Sequence, residues 1–249
     1  MNKSIINKIQ NTAKANQKQL AVLIDPDKSS DEYIQSICKN AKLAQVSFFL
    51  VGGSLLTDGN MDDTISQLKQ KTDIPIIIFP GSSSQISKHA DGILFLSLLS
   101  SRNPEMLIGQ QVVAAPFLKK TNLEIISTAY LLIDSGEQTT ASYISNSQPI
   151  PANKAEIAAC TALAGEYMGM QVLYLDGGSG AKNPVSAEMI SKVKEYTKNP
   201  LLIGGGINTL EKAKTAWNAG ADVIVVGNAF EQDDSFCLAL GELLSEINQ

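Results

Sequence analysis

The chain is short of several residue types, and each scarcity removes a class of chemistry. Among 249 residues there is one histidine, His89. A zinc site built on imidazoles is therefore disfavoured, and so is a Ser-His-Asp relay on Ser54 or Ser179. His89 falls in a short loop segment, where a surface or capping role is expected. Three cysteines, Cys38, Cys160 and Cys237, are far apart, form no CxxC pair and each fall in a predicted helix. An odd, unpaired set suits a reducing compartment, and burial as small apolar side chains is expected of all three. No Lys/Arg-rich run accompanies the formal net charge of −5, so the basic footprint of a nucleic-acid partner is missing. No apolar run reaches the roughly 18 residues of a membrane span. The polar stretch Met1–Gln10 has no apolar core of the kind a secretory leader needs, so a cytoplasmic protein is expected.

Hydrophobic residues make up 44% and charged residues 18%, the balance of an ordinary globular protein. Eight short apolar runs recur along it: Leu20–Ile24, Val46–Val51, Pro75–Phe79, Gly92–Leu96, Ile125–Ile133, Val172–Leu175, Leu201–Ile203 and Val223–Val226. Several are unbroken in Val, Ile, Leu and Phe, as strands covered on both faces of a parallel sheet are. Helical segments lie between them. Ile34, Ile37, Cys38 and Ala41 repeat at helical spacing. So do Val185, Met189, Ile190 and Val193, with Pro184 suited to the first helical position. Asn208-Thr209-Leu210-Glu211 reads as a capped start, Gly220 as that helix's end, and Trp217 as core beside Leu210 and Ala213. Eight strand–helix alternations in a chain near the typical barrel length of roughly 250 residues predict one α/β domain over residues 1–249, a (β/α)8 TIM barrel. The third unit is irregular, because Ser82–His89 is short for a helix. The polar, turn-rich Gly136–Pro151 predicts an ordered loop over the rim or a mobile lid.

In such a barrel the loops after the strands hold the active site. The glycines Gly204-Gly205-Gly206 after strand seven and Gly227-Asn228 after strand eight predict a phosphate site, where backbone N–H groups approach an anion closely. Tight turns and helix caps are the bland alternative. Gly177-Gly178-Ser179-Gly180 follows Asp176 after strand six and predicts donors around a polar ligand, with Asp176 holding a hydroxyl or acting as a base. Asp25-Pro26-Asp27-Lys28 ends strand one. Asp25 with the hydroxyl of Ser54, after strand two, suits an open magnesium site of one carboxylate completed by water and substrate phosphates. Asp27 and Lys28 read equally well as a solvated cap pair.

This motif set resembles the geranylgeranylglyceryl phosphate synthase family, which includes the heptaprenylglyceryl phosphate synthases. Asp25–Lys28, Gly52–Ser54, Tyr174–Ala181, Gly204–Ile207 and Val226–Asn228 carry the match across nearly the whole chain. The resemblance implies an Mg2+-dependent prenyltransferase. It would join the C3 hydroxyl of sn-glycerol 1-phosphate to a long prenyl diphosphate, geranylgeranyl preferred, and release diphosphate. Asp25 and Ser54 would hold the metal. Tyr174, Leu175, Asp176, Gly177, Gly178, Ser179, Gly180, Gly205, Gly206, Gly227 and Asn228 would bind glycerol phosphate. Asp176 and Lys28 would be catalytic. A homo-oligomer with at most transient membrane contact is implied too. Many members carry glutamate where this chain has Asp176, and some a lysine where it has Leu23. The competing readings are another phosphate-binding barrel isomerase or lyase, and a non-catalytic lipid- or phosphate-binding barrel.

Overall fold

A computed structural model of the chain describes residues 4–227, 229–230 and 234–249. Eight parallel strands close into one barrel in sequence order, with β8 hydrogen-bonded back to β1. They are β1 Gln19–Ile24, β2 Phe48–Val51, β3 Ile76–Ile78, β4 Gly92–Leu98, β5 Glu124–Leu132, β6 Val172–Asp176, β7 Leu201–Gly204 and β8 Val223–Val226. Each strand coincides with one of the eight apolar runs. Side-chain alternation divides every strand between two cores. On β6, Val172 and Tyr174 point into the barrel, whereas Leu173 and Leu175 pack outward under the helices.

The outer layer comprises α1 Ile5–Lys14, α2 Asp31–Leu43, α3 Met61–Lys71, α4 Gln110–Leu118, α5 Thr140–Ile144, α6 Ala155–Tyr167, α7 Ala187–Tyr196, α8 Leu210–Asn218 and α9 Asp234–Ile247. Their starts are written locally. Ser30, Asn60, Thr139, Ser186 and Thr209 are N-caps whose side chains accept a backbone N–H of the first turn. Helix α7 thus begins after Ser186, not at Pro184 as its spacing suggested, since the serine supplies the capping oxygen. Gly220, at φ +115°, follows the end of α8. Trp217 is buried and donates from Nε1 to the Gln19 carbonyl at 3.3 Å. Leu210 is partly exposed rather than part of its core. Of the cysteines, Cys38 and Cys237 are buried but Cys160 is exposed on the outer side of α6.

Helix α1 closes the bottom of the barrel. Ile5, Ile6 and Ile9 pack into the interior cluster, and the Glu124 carboxylate at the foot of β5 accepts the Ile5 and Ile6 N–H groups at 2.6 and 2.9 Å. The foot of the sheet carries the same latch twice. Asp91, before β4, accepts from Ile76 N at 2.7 Å and pairs with Lys69 of α3. Asp222, before β8, accepts from Leu201 N at 2.8 Å and pairs with Lys194 of α7 at 2.6 Å.

Between β3 and β4 no helix intervenes; the described chain there is turns alone. As predicted, the third unit is irregular. A cavity opens beside this gap. Among the described residues no helix is long and apolar enough to cross a membrane.

Candidate active site

The strand C-termini surround one cavity of about 470 Å³. Its volume falls in the usual range for small-molecule sites, roughly 300–1,000 Å³. One end is polar, lined by Asp176, Gly178, Ser179, Gly180, Gly205, Gly206 and Gly227. Asp25, Gly53 and Ser54 line its edge. From there it runs as an apolar trench through the missing-helix gap, between Ile86 and the strand β4 side chains, beneath α4. Met106, Ala114 and Leu118 form that wall. Helix α5, within the predicted loop over the rim, contributes Thr140, Ala141 and Ile144.

Asp176 is 6% exposed at the junction of the two regions. Its Oδ2 accepts from the Tyr130 hydroxyl at 2.7 Å, and its Oδ1 from the Gly178 N–H at 2.7 Å. Burial pushes its pKa up, and the two donated hydrogen bonds pull it back only in part. Such a carboxyl is a stronger base than an exposed one. Tyr130 and Tyr174 are opposite each other in the β5–β6 register. Their rings cross at 75° with centroids 5.5 Å apart, and Phe79 stacks on Tyr174 at 5.2 Å. This aromatic trio floors the cavity. Both tyrosine hydroxyls are held well above their ordinary pKa, first by burial and then by the Asp176 charge, so they are hydrogen-bond donors rather than acids.

Two glycines make this packing possible. A Cβ on Gly204 would sit 2.5 Å from the Tyr174 hydroxyl. Gly205 has φ +82°, and a Cβ there would lie 2.7 Å from the Gly177 nitrogen. Gly204 and Gly205 therefore carry a structural duty, and Gly205 also lines the cavity.

The residues read from the sequence separate into three groups. Asp25, Ser54, Tyr174, Asp176, Gly178, Ser179, Gly180, Gly205, Gly206 and Gly227 line one cavity at one end of the sheet. Leu175, Gly177 and Lys28 do not. Leu175 points outward into the helix-side core, because it alternates with Tyr174 and Asp176. Gly177 spends its N–H on the Gly204 carbonyl at 3.0 Å. Lys28 is exposed on the one-turn 3-10 helix Pro26–Lys28, beyond the lining. Asn228 lies outside the described residues.

Asp27 lies outside the cavity lining and is exposed, as a cap residue would be. Its carboxylate accepts the Thr57 hydroxyl and N–H and the Gly59 N–H, at 2.8, 2.9 and 2.6 Å, and so clamps the loop after β2. These hydrogen bonds, chiefly those from Thr57, hold its pKa below the usual carboxylate value. Gly59 packs against this turn so closely that a Cβ would meet the Pro26 carbonyl carbon at 2.4 Å.

Sequence reasoning passed over Tyr130 and Gln111. A lone tyrosine in the apolar Ile125–Ile133 run was the available signal for the first. Gln111 lines the trench and donates from Nε2 to the carbonyls of Leu96 and Met106, tying the π-helical turn Glu105–Gly109 to β4. Nothing in its sequence context marks it.

A closed barrel with glycine turns after β6, β7 and β8, a buried carboxylate and an apolar trench defines a phosphate-ligand barrel enzyme with room for a long apolar group. The profile of the PcrB family matches residues 13–244, and the chain belongs to that family. It is 50% identical over 232 residues to a geranylgeranylglyceryl phosphate synthase of Spirosoma linguale, covering 93% of each chain. Identity is 40% over 226 residues to a synthase of that name from Methanosphaera stadtmanae, covering 91% of this chain and 92% of that one. Among solved structures, the (S)-3-O-geranylgeranylglyceryl phosphate synthase of Thermoplasma acidophilum, in complex with sn-glycerol-1-phosphate, superposes with a TM-score of 0.90 at 36% identity. The match covers 98% of both chains.

Proposed function

We propose that this chain transfers a long prenyl group, geranylgeranyl by family preference, from its diphosphate to the C3 hydroxyl of sn-glycerol 1-phosphate. The carrying observation is the single cavity in which a buried carboxylate sits between a glycine-rimmed polar pocket and an apolar trench. The relatives' names supply the two substrates. A competing isomerase or lyase has no need of such a trench, and a mere binding barrel has no need of a basic carboxylate at its junction.

In this reading the N–H groups of the β6–β8 turns hold the glycerol phosphate and leave its free hydroxyl at Asp176. The prenyl tail fills the trench, where each buried CH2 contributes about 0.8 kcal/mol. The allylic C–O bond breaks and its electron pair leaves with diphosphate. The glycerol oxygen forms the ether bond to the cation-like carbon, and its proton passes to Asp176. Tyr130 and the Gly178 amide position that carboxylate for the transfer.

Asp25 and Ser54 fit a magnesium ion. They line the same edge of the cavity, and a Cβ on the intervening Gly53 would be 3.6 Å from Asp25 Oδ1. Among the described residues no cluster of three acidic, histidine or cysteine side chains exists. Magnesium needs only one or two carboxylates beside substrate phosphates and water. When bound, it would supply positive charge to offset that gathering on the diphosphate. The enzyme would work in the cytoplasm, touching membranes only to exchange lipid.

The test is incubation with labelled sn-glycerol 1-phosphate, a panel of prenyl diphosphates, and magnesium or a chelator. Ether product should form only with metal and be lost in Asp25→Ala and Asp176→Ala. Equal turnover of sn-glycerol 3-phosphate, or full activity in chelator, would overturn this assignment.

A further inference from the structure

The cavity is short of positive charge. Two carboxylates, Asp25 and Asp176, line it, and among the described residues no lysine, arginine or histidine does. Its polar end offers backbone donors instead. The N–H groups of Gly205, Gly206 and Ile207 donate to no group among the described residues. Such amides supply only partial charges, whereas a phosphate ester carries about −1.5 to −2 near neutral pH. A full positive charge stands one hydrogen bond behind that lining. Lys212, in the first turn of α8, is partly buried. Its ammonium donates to the Gly206 carbonyl at 3.1 Å and to Asn208 Oδ1 at 2.8 Å. Gly206 and Asn208 both line the cavity.

Position 212 is a poor one for a lysine kept for the helix alone. It is the third residue of α8, where the helix dipole disfavours a cation and capping boxes place glutamate or glutamine. Capping is already met, since Thr209 Oγ1 accepts the Lys212 N–H at 3.2 Å. The ammonium contacts fix two other things. An ammonium donates three hydrogen bonds and accepts none, so the Asn208 atom it meets is the amide oxygen. The Asn208 NH2 group is thereby left as a donor, and it bonds to no group among the described residues. The Gly206 carbonyl belongs to the same peptide unit as the Ile207 N–H, and an ammonium on that oxygen strengthens the N–H as a donor. Resting on the reading that glycerol phosphate occupies these turns, we infer that Asn208 and Lys212 belong to its phosphate site. Asn208 is a substrate-binding residue that donates to a phosphate oxygen. Lys212 is a positioning residue that orients Asn208, polarises the Gly206–Ile207 peptide and sets a positive charge behind it.

Calorimetric titration of sn-glycerol 1-phosphate and of inorganic phosphate into the full chain, with steady-state kinetics beside it, tests this. Lys212→Met keeps the stem and removes the charge. It should raise Kd for sn-glycerol 1-phosphate about tenfold and leave KM for prenyl diphosphate within about twofold. Its melting temperature should not fall, because the helix dipole is relieved of a cation. Added salt should weaken binding in the wild type and do so less in Lys212→Met. Lys212→Arg should bind within about threefold of wild type. Asn208→Asp separates recognition from bracing of the turn. It keeps and strengthens the contact to the ammonium, but it exchanges the NH2 donor for a second carboxylate oxygen. The turn stays braced, yet Kd should rise about 100-fold through repulsion of the phosphate. A lysine that merely braces the turn leaves that variant's affinity unchanged. Asn208→Asp binding within about threefold of wild type therefore overturns the inference, as does Lys212→Met binding like wild type. Either result leaves the proposed transfer reaction standing, since the wild type still takes its substrate. A wild type that binds neither ligand overturns the proposed function and this inference with it.

Discussion

Tyr130→Phe is the sharpest probe of the proposed chemistry. It removes one oxygen atom and nothing of the ring, so the contacts to Tyr174 and Phe79 at 5.5 and 5.6 Å remain. What disappears is the 2.7 Å hydrogen bond into Asp176 Oδ2, one of two that favour its ionised form. A hydrogen bond to a charged group is worth about 1.5–3 kcal/mol. If Asp176 must be ionised and aimed in the transition state, kcat/KM at neutral pH should fall roughly tenfold to a hundredfold. The pH profile gives the diagnostic readout. Activity rises with pH as Asp176 ionises. Loss of a donor to its charged form raises its pKa further, so the acid limb of the variant should move to higher pH. Tyr174→Phe is the control, since Tyr174 acts on Asp176 through its surroundings and not through a hydrogen bond. It should leave the limb in place. An unmoved limb in Tyr130→Phe, with kcat/KM within about threefold of wild type, would show that Asp176 is not the proton acceptor.

Gly204→Ala should displace the Tyr174 ring, because its Cβ would stand 2.5 Å from the hydroxyl. Overpacking of this sort costs about 1–3 kcal/mol, visible as a lower melting temperature together with a raised KM for glycerol phosphate. Asp27→Ala should free the 57–59 loop, read as faster limited proteolysis there at pH 7. In the wild type the same loosening should appear only below about pH 4, because a depressed carboxylate pKa gives stability that is lost as pH falls through the folded value. Asp222→Ala removes a carboxylate only 3% exposed and strands Lys194 and the Leu201 N–H. About 3 kcal/mol of stability should be lost, roughly 6–12 °C in Tm for a domain of this size, with the site's chemistry at the far end of the sheet unchanged.

The strands were legible in the sequence because a parallel barrel buries both faces of each one, which leaves unbroken apolar runs such as Ile76–Ile78 and Val223–Val226. The capped start at Thr209 was legible for the same local reason. Pro184 misled because proline suits a first helical position in general, while the oxygen at Ser186 decides this particular one. Leu175 was drawn into the site by its neighbours in a glycine-rich motif. Period-two alternation excludes it, since Tyr174 and Asp176 cannot both face inward without turning Leu175 out. Lys28 was placed by proximity to Asp25 in sequence, and the short 3-10 turn carries it past the cavity edge. Tyr130 was marked only as a lone tyrosine in an apolar run, and its role was not legible for the opposite reason. Its partner Asp176 is far along the chain, and only the β5–β6 register brings the two together.

The trench itself is a consequence of something the chain does not contain. A complete third βα unit would lay a helix against β3 and β4 and fill the space through which the cavity runs. Ser82–His89 is too short and too rich in serine to do so, and Gln85 is instead drawn inward, donating to the Gly53 carbonyl at 3.0 Å and accepting from Gly81 N at 2.9 Å. That pair of hydrogen bonds holds the gap open from the β2 side. On the other side Gln111 holds the π turn to β4. The apolar space is thus framed by two glutamines that satisfy loose backbone groups, where a regular helix would have satisfied its own. The polar pocket follows from glycines and the trench from a missing helix, and the role proposed for Asp176 rests on its lying where the two meet.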